Sequence, residues 1–211
     1  KVEYSGSTVS LVMLDQLPAA ACLGGRRGAR LRCSFLGDSL VVAARRAARG
    51  RPWEVTVVTD AHRPDREDEL QRIEQLGGRI RRASAASGGG PSRLLTPEWH
   101  LAMSRSVGDF HAVPHGLSSE PECAAEMLLE PDWEHLVLAC SDGVWDVIPP
   151  AQAVQIVGKF SPEEAQLAVE RLVHKAQIRW QETEDVVDDI TALLVWPGLG
   201  EEGRAGGLAA E

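Results

Sequence analysis

The chain has 211 residues, 31 acids against 22 lysines and arginines, a net charge of −9 and 44% hydrophobic residues. That apolar share supports a packed core and excludes a disordered polyelectrolyte, while the length suits a single domain. No run approaches the roughly 18 uninterrupted apolar residues of a membrane span, and the first residues carry no apolar signal-peptide core. Residues 7–14, rich in apolar and β-branched types, predict a strand. Residues 33–43 hold two apolar runs broken at Gly37-Asp38-Ser39, a tight turn or bulge expected to aim Asp38 outward. Between these strands, Leu17-Pro18, Gly24-Gly25 and Gly28 mark a long hairpin loop, and specificity for substrate and regulatory partners is expected around Gly24 to Arg32. Residues 55–59 predict another strand. A charged segment from Asp65 then sets Leu70, Ile73 and Leu76 on one side and stops at Gly77-Gly78. Residues 83–93, with Gly88-Gly89-Gly90-Pro91, predict an irregular loop.

Residues 135–140 form a nearly continuous apolar run, a buried strand ending at Ser141-Asp142-Gly143. Pro149-Pro150 opens a short helix through Val157. The strongest helix follows, with Ser161 as N-cap, Pro162 in the first position and Glu164 completing a capping box. Ala165, Val169, Leu172, Val173 and Ala176 make its buried stripe. Residues 190–196 predict the last strand, and residues 198–211 a disordered tail. With no repeat and no linker, residues 1–197 read as one domain. Strands first and last, with helices grouped between, favour a layered α+β architecture over a doubly wound sheet.

Charge is distributed unevenly. Residues 26–51 carry eight arginines against one acid, Asp38, whereas residues 106–158 carry nine acids and no lysine or arginine. Either block reads most simply as solvated surface. The arginines lack the aromatic interleaving of a nucleic-acid site, so no nucleic-acid partner is expected, and no membrane partner either. Cys22, Cys33, Cys123 and Cys140 show no C-x-x-C pairing and read as reduced thiols of a cytoplasmic or nuclear protein. Four short segments each set a carboxylate beside Gly, Ser or a strand end: Gly37-Asp38-Ser39, residues 104–109, residues 141–146 and residues 188–191. Oxygen-only donors of this kind suit hard cations such as Mg²⁺ or Mn²⁺. Singly, each aspartate reads more often as a turn or cap residue.

In order, these segments resemble the later motifs of the PP2C (PPM) metal-dependent serine/threonine phosphatases. Ser5-Gly6-Ser7-Thr8 is similar to the family's S-G-S-T-A strand, and Gly37-Asp38-Ser39 to G-D-S-R with Leu40 in place of arginine. Residues 59–64 resemble T-x-D-H-K-P, and residues 69–78 resemble E-x-x-R-I-x-x-x-G-G. Residues 101–109 are similar to L-A-V-S-R-A-x-G-D, and residues 138–147 to L-A-S-D-G-L-W-D-V. Asp188-Asp189-Ile190-Thr191 follows D-N-I-T, with Asp189 in place of asparagine.

The resemblance implies a four-layer α/β/β/α sandwich and a pair of metal ions, Mg²⁺ or Mn²⁺, with a third held more weakly. The ions would lower the pKa of a bridging water, and the resulting hydroxide would attack phosphoserine or phosphothreonine in protein substrates. By the same resemblance Asp142 and Asp188 are ligands of the pair, and Asp38 and Asp146 acids of the third site. Asp146 also reads as a helix N-cap after Trp145. Arg105 and Asp109 read as structural residues tying a loop to the sheet, with a substrate role for Arg105 as the alternative. Asp189 adds a charge that either tightens metal binding or misaligns Asp188. The family's early R-x-x-x-E-D and D-G-H-G-G segments do not occur in this chain. It is therefore expected to be a fold incomplete at its N-terminus, inactive alone and monomeric when complete. The competing readings are a pseudophosphatase or phosphoprotein-binding scaffold, and an acidic calcium-binding module, which lacks an EF-hand loop here.

Overall fold

The computed structural model describes residues 2–17, 28–83, 90–183, 186–199 and 207–210. In chain order its elements are β1 (Gly6–Ser7), β2 (Val9–Gln16), β3 (Ala29–Leu36), β4 (Leu40–Arg46), β5 (Glu54–Val57), α1 (Glu67–Gln75), β6 (Ile80–Arg81), β7 (Arg93–Leu95) and β8 (His100–Leu101). There follow β9 (Val107–Gly108), β10 (Glu122–Cys123), β11 (Met127–Leu129), β12 (Glu134–Cys140), α2 (Asp142–Trp145), α3 (Pro150–Val157), α4 (Ala165–Thr183), β13 (Ala192–Trp196) and β14 (Gly207–Ala210). They gather into two compact units interleaved along the sequence. Unit 1 comprises Lys1–Ser10, Ser34–Ser39 and Asp60–Cys123, and unit 2 comprises Leu11–Cys33, Leu40–Thr59 and Ala124–Glu211.

Unit 2 is built on an antiparallel sheet of order β14-β13-β12-β4-β5. Its central strand β12 places Leu138 between Val42 of β4 and Leu194 of β13. Successive side chains on a strand face opposite ways, so β12 feeds two cores. Leu136, Leu138 and Cys140 pack with Val42 and Leu194 against Val154 and Val157 of α3 and Val169, Leu172 and Ala176 of α4. Val137 faces the other way and packs with Val41 and Ala43 against Ala29, Leu31 and Cys33 of β3 and Leu129 of β11. A side chain of this kind contributes about 1.5–3 kcal/mol when fully buried. β3 pairs in turn with β2 and β11. Three of the expected layers, helices, sheet and sheet, are thus present within unit 2.

The helix stripe lies where its spacing puts it, with Ala165, Val169, Leu172, Val173 and Ala176 all buried. Before α4 comes a tight turn over Pro162–Glu164, where the Glu164 carboxylate accepts the Ser161 N–H at 3.0 Å. β2 and β3 are joined as a hairpin, closed by the Leu17 N–H donating to the Gly28 carbonyl at 2.9 Å. Residues 18–27 of the expected loop, with Cys22, lie outside the described residues. Among the described residues, Cys33, Cys123 and Cys140 are in no disulfide. Of the expected tail, residues 200–206 and Glu211 lie outside the described residues. β14 pairs with β13, Leu193 opposite Ala210 and Trp196 opposite Gly207, because β13 offers it an open edge.

Unit 1 packs Ile73 of α1 with Leu94, Ala112 and Leu117 beside the β6-β7-β8 sheet. Leu70 and Ile73 are buried as the helix pattern requires, but Leu76 is 61% exposed. The helix has ended by then. Gly77 takes φ +78°, and the Gly78 N–H returns to the Ile73 carbonyl at 2.9 Å. Of the expected loop at 83–93, residues 84–89 lie outside the described residues, and Arg93 already belongs to β7. β1 pairs with β9, Gly6 opposite Gly108. The approach is so close that a side chain at Gly6 would collide with the Asp109 carboxylate. Among the described residues no helix is long and apolar enough to cross a membrane.

Candidate functional site

Three of the four sequence-nominated aspartates lie in unit 2. Asp142 opens the single turn of α2 directly after β12, and Asp146 follows that turn, its N–H donating to the Asp142 carbonyl at 2.8 Å. Four residues apart on one turn, the two side chains share a face. Asp146 is the C-terminal cap of α2 and not a helix N-cap, since α3 begins only at Pro150 behind Pro149. Asp188 is exposed, and its carboxylate accepts the Asp189 N–H at 2.8 Å.

Ser141 joins the two aspartate-bearing segments. Its hydroxyl donates to the Asp189 carbonyl at 3.2 Å and accepts the Thr191 N–H at 3.0 Å, while its own N–H donates to the Thr191 carbonyl at 3.0 Å. Gly143 allows this approach, because a Cβ there would collide with the Asp189 carbonyl. Asp189 enters these bonds through its backbone, so its departure from asparagine leaves them intact. The turn is also fixed from behind. The Trp145 indole donates to the Cys140 carbonyl at 2.8 Å, Trp180 to the Gly143 carbonyl at 2.7 Å, and Arg179 to the Val147 carbonyl at 2.6 Å.

Asp38 lies in unit 1 and corrects the expectation that it points outward: it is 3% exposed, with an Arg63 guanidinium nitrogen at 3.9 Å. The turn is drawn inward by His62. The Gly37 N–H donates to His62 Nδ1 at 3.0 Å, and the His62 N–H donates to the Gly37 carbonyl at 2.9 Å. Gly37 holds φ +104° against the Thr8 side chain, a position only glycine fills without strain. The Thr8 and Ser39 hydroxyls meet at 2.8 Å.

Unit 1 also holds a charge network with three members, Arg66, Asp68 and Glu122, that no motif announces. Glu69, 1% exposed, is met by Arg105 Nη2 at 2.6 Å, by Arg72 Nη2 at 2.8 Å and by the Ser104 hydroxyl. Glu122 accepts from Arg105 at 2.8 Å and from Arg66 at 2.5 Å, and Arg66 also grips Asp68. The oxygens of Asp68, Glu69 and Glu122 lie within 4.8 Å of one another, a spacing open to a cation. Three guanidinium groups already balance these three carboxylates, so the cluster is an internal ion network and not a vacant metal site. Burial pushes the Glu69 carboxyl up, but hydrogen bonds from Arg105, Arg72 and Ser104 outweigh it and hold it at about 2. Burial and then the Arg105 charge lower His62, keeping it neutral against the opposing pull of Glu122. Arg105 uses Nη1 on the Glu120 carbonyl at 2.8 Å, so each of its three nitrogens is engaged in structure.

Residues 2–185 match the family described as Protein phosphatase 2C, a match that ends three residues before Asp188. The chain is 31% identical over 179 residues to Probable protein phosphatase 2C 48 of Oryza sativa subsp. japonica, covering 81% of this chain and 49% of that protein. It is 34% identical over 130 residues to Protein phosphatase 1F of Homo sapiens, covering 62% of this chain and 25% of that one. Its fold resembles that of a serine-threonine phosphatase 2C from Toxoplasma gondii, with TM-score 0.66 at 22% identity, over 81% of this chain and 57% of that one. A sex determining protein of C. elegans aligns with TM-score 0.61 at 22% identity, over 80% of this chain and 38% of that one. The chain spans about half the length, or less, of the curated relatives it matches.

Proposed function

Since this chain belongs to the protein phosphatase 2C family, we propose that its function is metal-dependent hydrolysis of phosphoserine and phosphothreonine in proteins. The observation that supports this reading most directly is the Ser141 hydroxyl, which holds the Asp142 turn against the segment that carries Asp188. Asp142, Asp146 and Asp188 offer only carboxylate oxygens, the donor set of Mg²⁺ and Mn²⁺. Asp142 and Asp188 are the proposed ligands of a metal pair and Asp146 of a weaker site. Asp38, buried in unit 1 beside Arg63, enters by family resemblance alone. A bound divalent ion would supply an acidified water and neutralise charge on the phosphoryl group. The chain's own part is to hold carboxylates in register. Ser141 fixes the spacing of the two segments, and Trp145, Trp180 and Arg179 keep the α2 turn from moving as charge is bound.

Titration of the chain with Mn²⁺, followed by loss of the free-ion electron paramagnetic resonance signal, tests the metal site. Asp142→Ala is expected to weaken binding at least about tenfold while leaving thermal unfolding of the metal-free chain little changed. The same affinity in wild type and variant would overturn the ligand assignment. Release of phosphate from phosphoserine and phosphothreonine peptides should require Mn²⁺ or Mg²⁺. Turnover that survives excess EDTA would rule the metal mechanism out.

A further inference from the structure

On unit 2, helices α3 and α4 enclose a groove of about 440 Å³ on the side of the helix layer away from the sheet. Its floor is apolar, formed by Ile156, Phe160 and Ile178, all half-buried. Its rim is cationic: Lys159 at the end of α3, and Arg171 and Lys175 on α4. Arg171, Lys175 and Ile178 are four and three residues apart and share one helix face. Among the described residues no acid lines the groove, although the chain as a whole carries −9. Among the described residues none of the three cations is in a salt bridge. Glu170, the neighbour of Arg171, is bonded instead to the Gln166 amide at 3.2 Å on the flank of the helix.

Three cations with no counter-charge among the described residues, set around an apolar floor, select against most ligands. A bare inorganic anion would satisfy the rim and leave Ile156 and Phe160 in water. An uncharged apolar peptide would cover the floor and strip water from the cations without replacement. A groove between paired helices admits a short segment with anchoring side chains, and complementary charge steers it there. We propose that the α3–α4 groove docks an acidic linear peptide of another protein, one carrying Leu or Phe anchors between glutamates or aspartates. The surface is built from unit 2 alone and involves none of the proposed metal ligands.

The test is fluorescence anisotropy of the full chain with a labelled twelve-residue peptide bearing six glutamates around a central Leu-Phe pair. Two control peptides are used, one with glutamine for every glutamate and one with serine for Leu and Phe. Saturable binding to the first peptide is expected, weakened about tenfold by either control and further by raising salt from low to physiological strength. Arg171→Glu and Lys159→Glu, both at exposed positions, should each weaken binding about tenfold with unchanged thermal unfolding. Vesicles containing phosphatidylserine form a separate arm. Vesicle binding that depends on Arg171, without peptide binding, would overturn the proposal. So would a glutamine peptide that binds as well as the acidic one, or charge reversals that leave the affinity unaltered.

Discussion

Ser141 separates the geometry of the proposed metal site from its ligands. Ser141→Ala retains every carboxylate but deletes the hydroxyl that bonds the Asp189 carbonyl and the Thr191 N–H. Each such bond contributes about 1 kcal/mol, so a loss near 2 kcal/mol is expected in denaturant unfolding, together with weaker Mn²⁺ binding. Unchanged Mn²⁺ affinity would show that the two segments are held by other means. Glu69 makes the opposite kind of test, since Arg72 and Arg105 hold its carboxylate. Its folded pKa of about 2 lies below the ordinary 4.5, so the folded state binds fewer protons than the unfolded chain between those values. The resulting stability, roughly 3 kcal/mol, is complete above pH 4.5 and lost as pH falls towards 2. His62, also lowered, has the same sign: its contribution is complete above 6.5 and declines below it. Glu69→Gln should cost about 3–5 kcal/mol at neutral pH, because Arg72 and Arg105 lose their buried counter-charge, and should flatten the acid limb of stability against pH.

At the scale of elements, α4 supports much of unit 2 and begins at a feature visible in four residues. Ser161, Pro162 and Glu164 set its entry, and the Glu164 carboxylate caps the Ser161 N–H. Glu164→Ala is expected to lower unfolding free energy by about 0.5–2 kcal/mol, measured by urea denaturation, with a circular dichroism spectrum close to wild type. α1 shows where periodicity misleads. Leu76 continues the spacing of Leu70 and Ile73, yet Gly77 turns the chain before it reaches the core. Asp146 shows the same limit. A carboxylate ahead of Pro149-Pro150 suggests an N-cap, but the chain completes the α2 turn first and leaves it at a C-terminus.

For the molecule as a whole, protection follows the two cores that meet on one strand. β12 lies between β4 and β13 and is covered on both faces, so its amides from Leu136 to Cys140 should exchange slowest in native-state hydrogen exchange. β5, at an edge of the sheet, should exchange orders of magnitude faster. Equal rates in the two strands would refute that ranking. The sequence by itself determined β12, α3, α4 and the Gly77 stop, because apolar period, capping chemistry and glycine freedom act over a few neighbouring residues. It also determined the ordered motifs by which the family was legible. Tertiary structure alone decided that Asp38 turns inward, that Ser141 reaches Thr191 fifty residues away, and that Glu122 completes the charge of Arg66 and Arg105. These bonds join groups that no local pattern relates, and the partner of a buried donor is fixed only when distant strands are packed against each other.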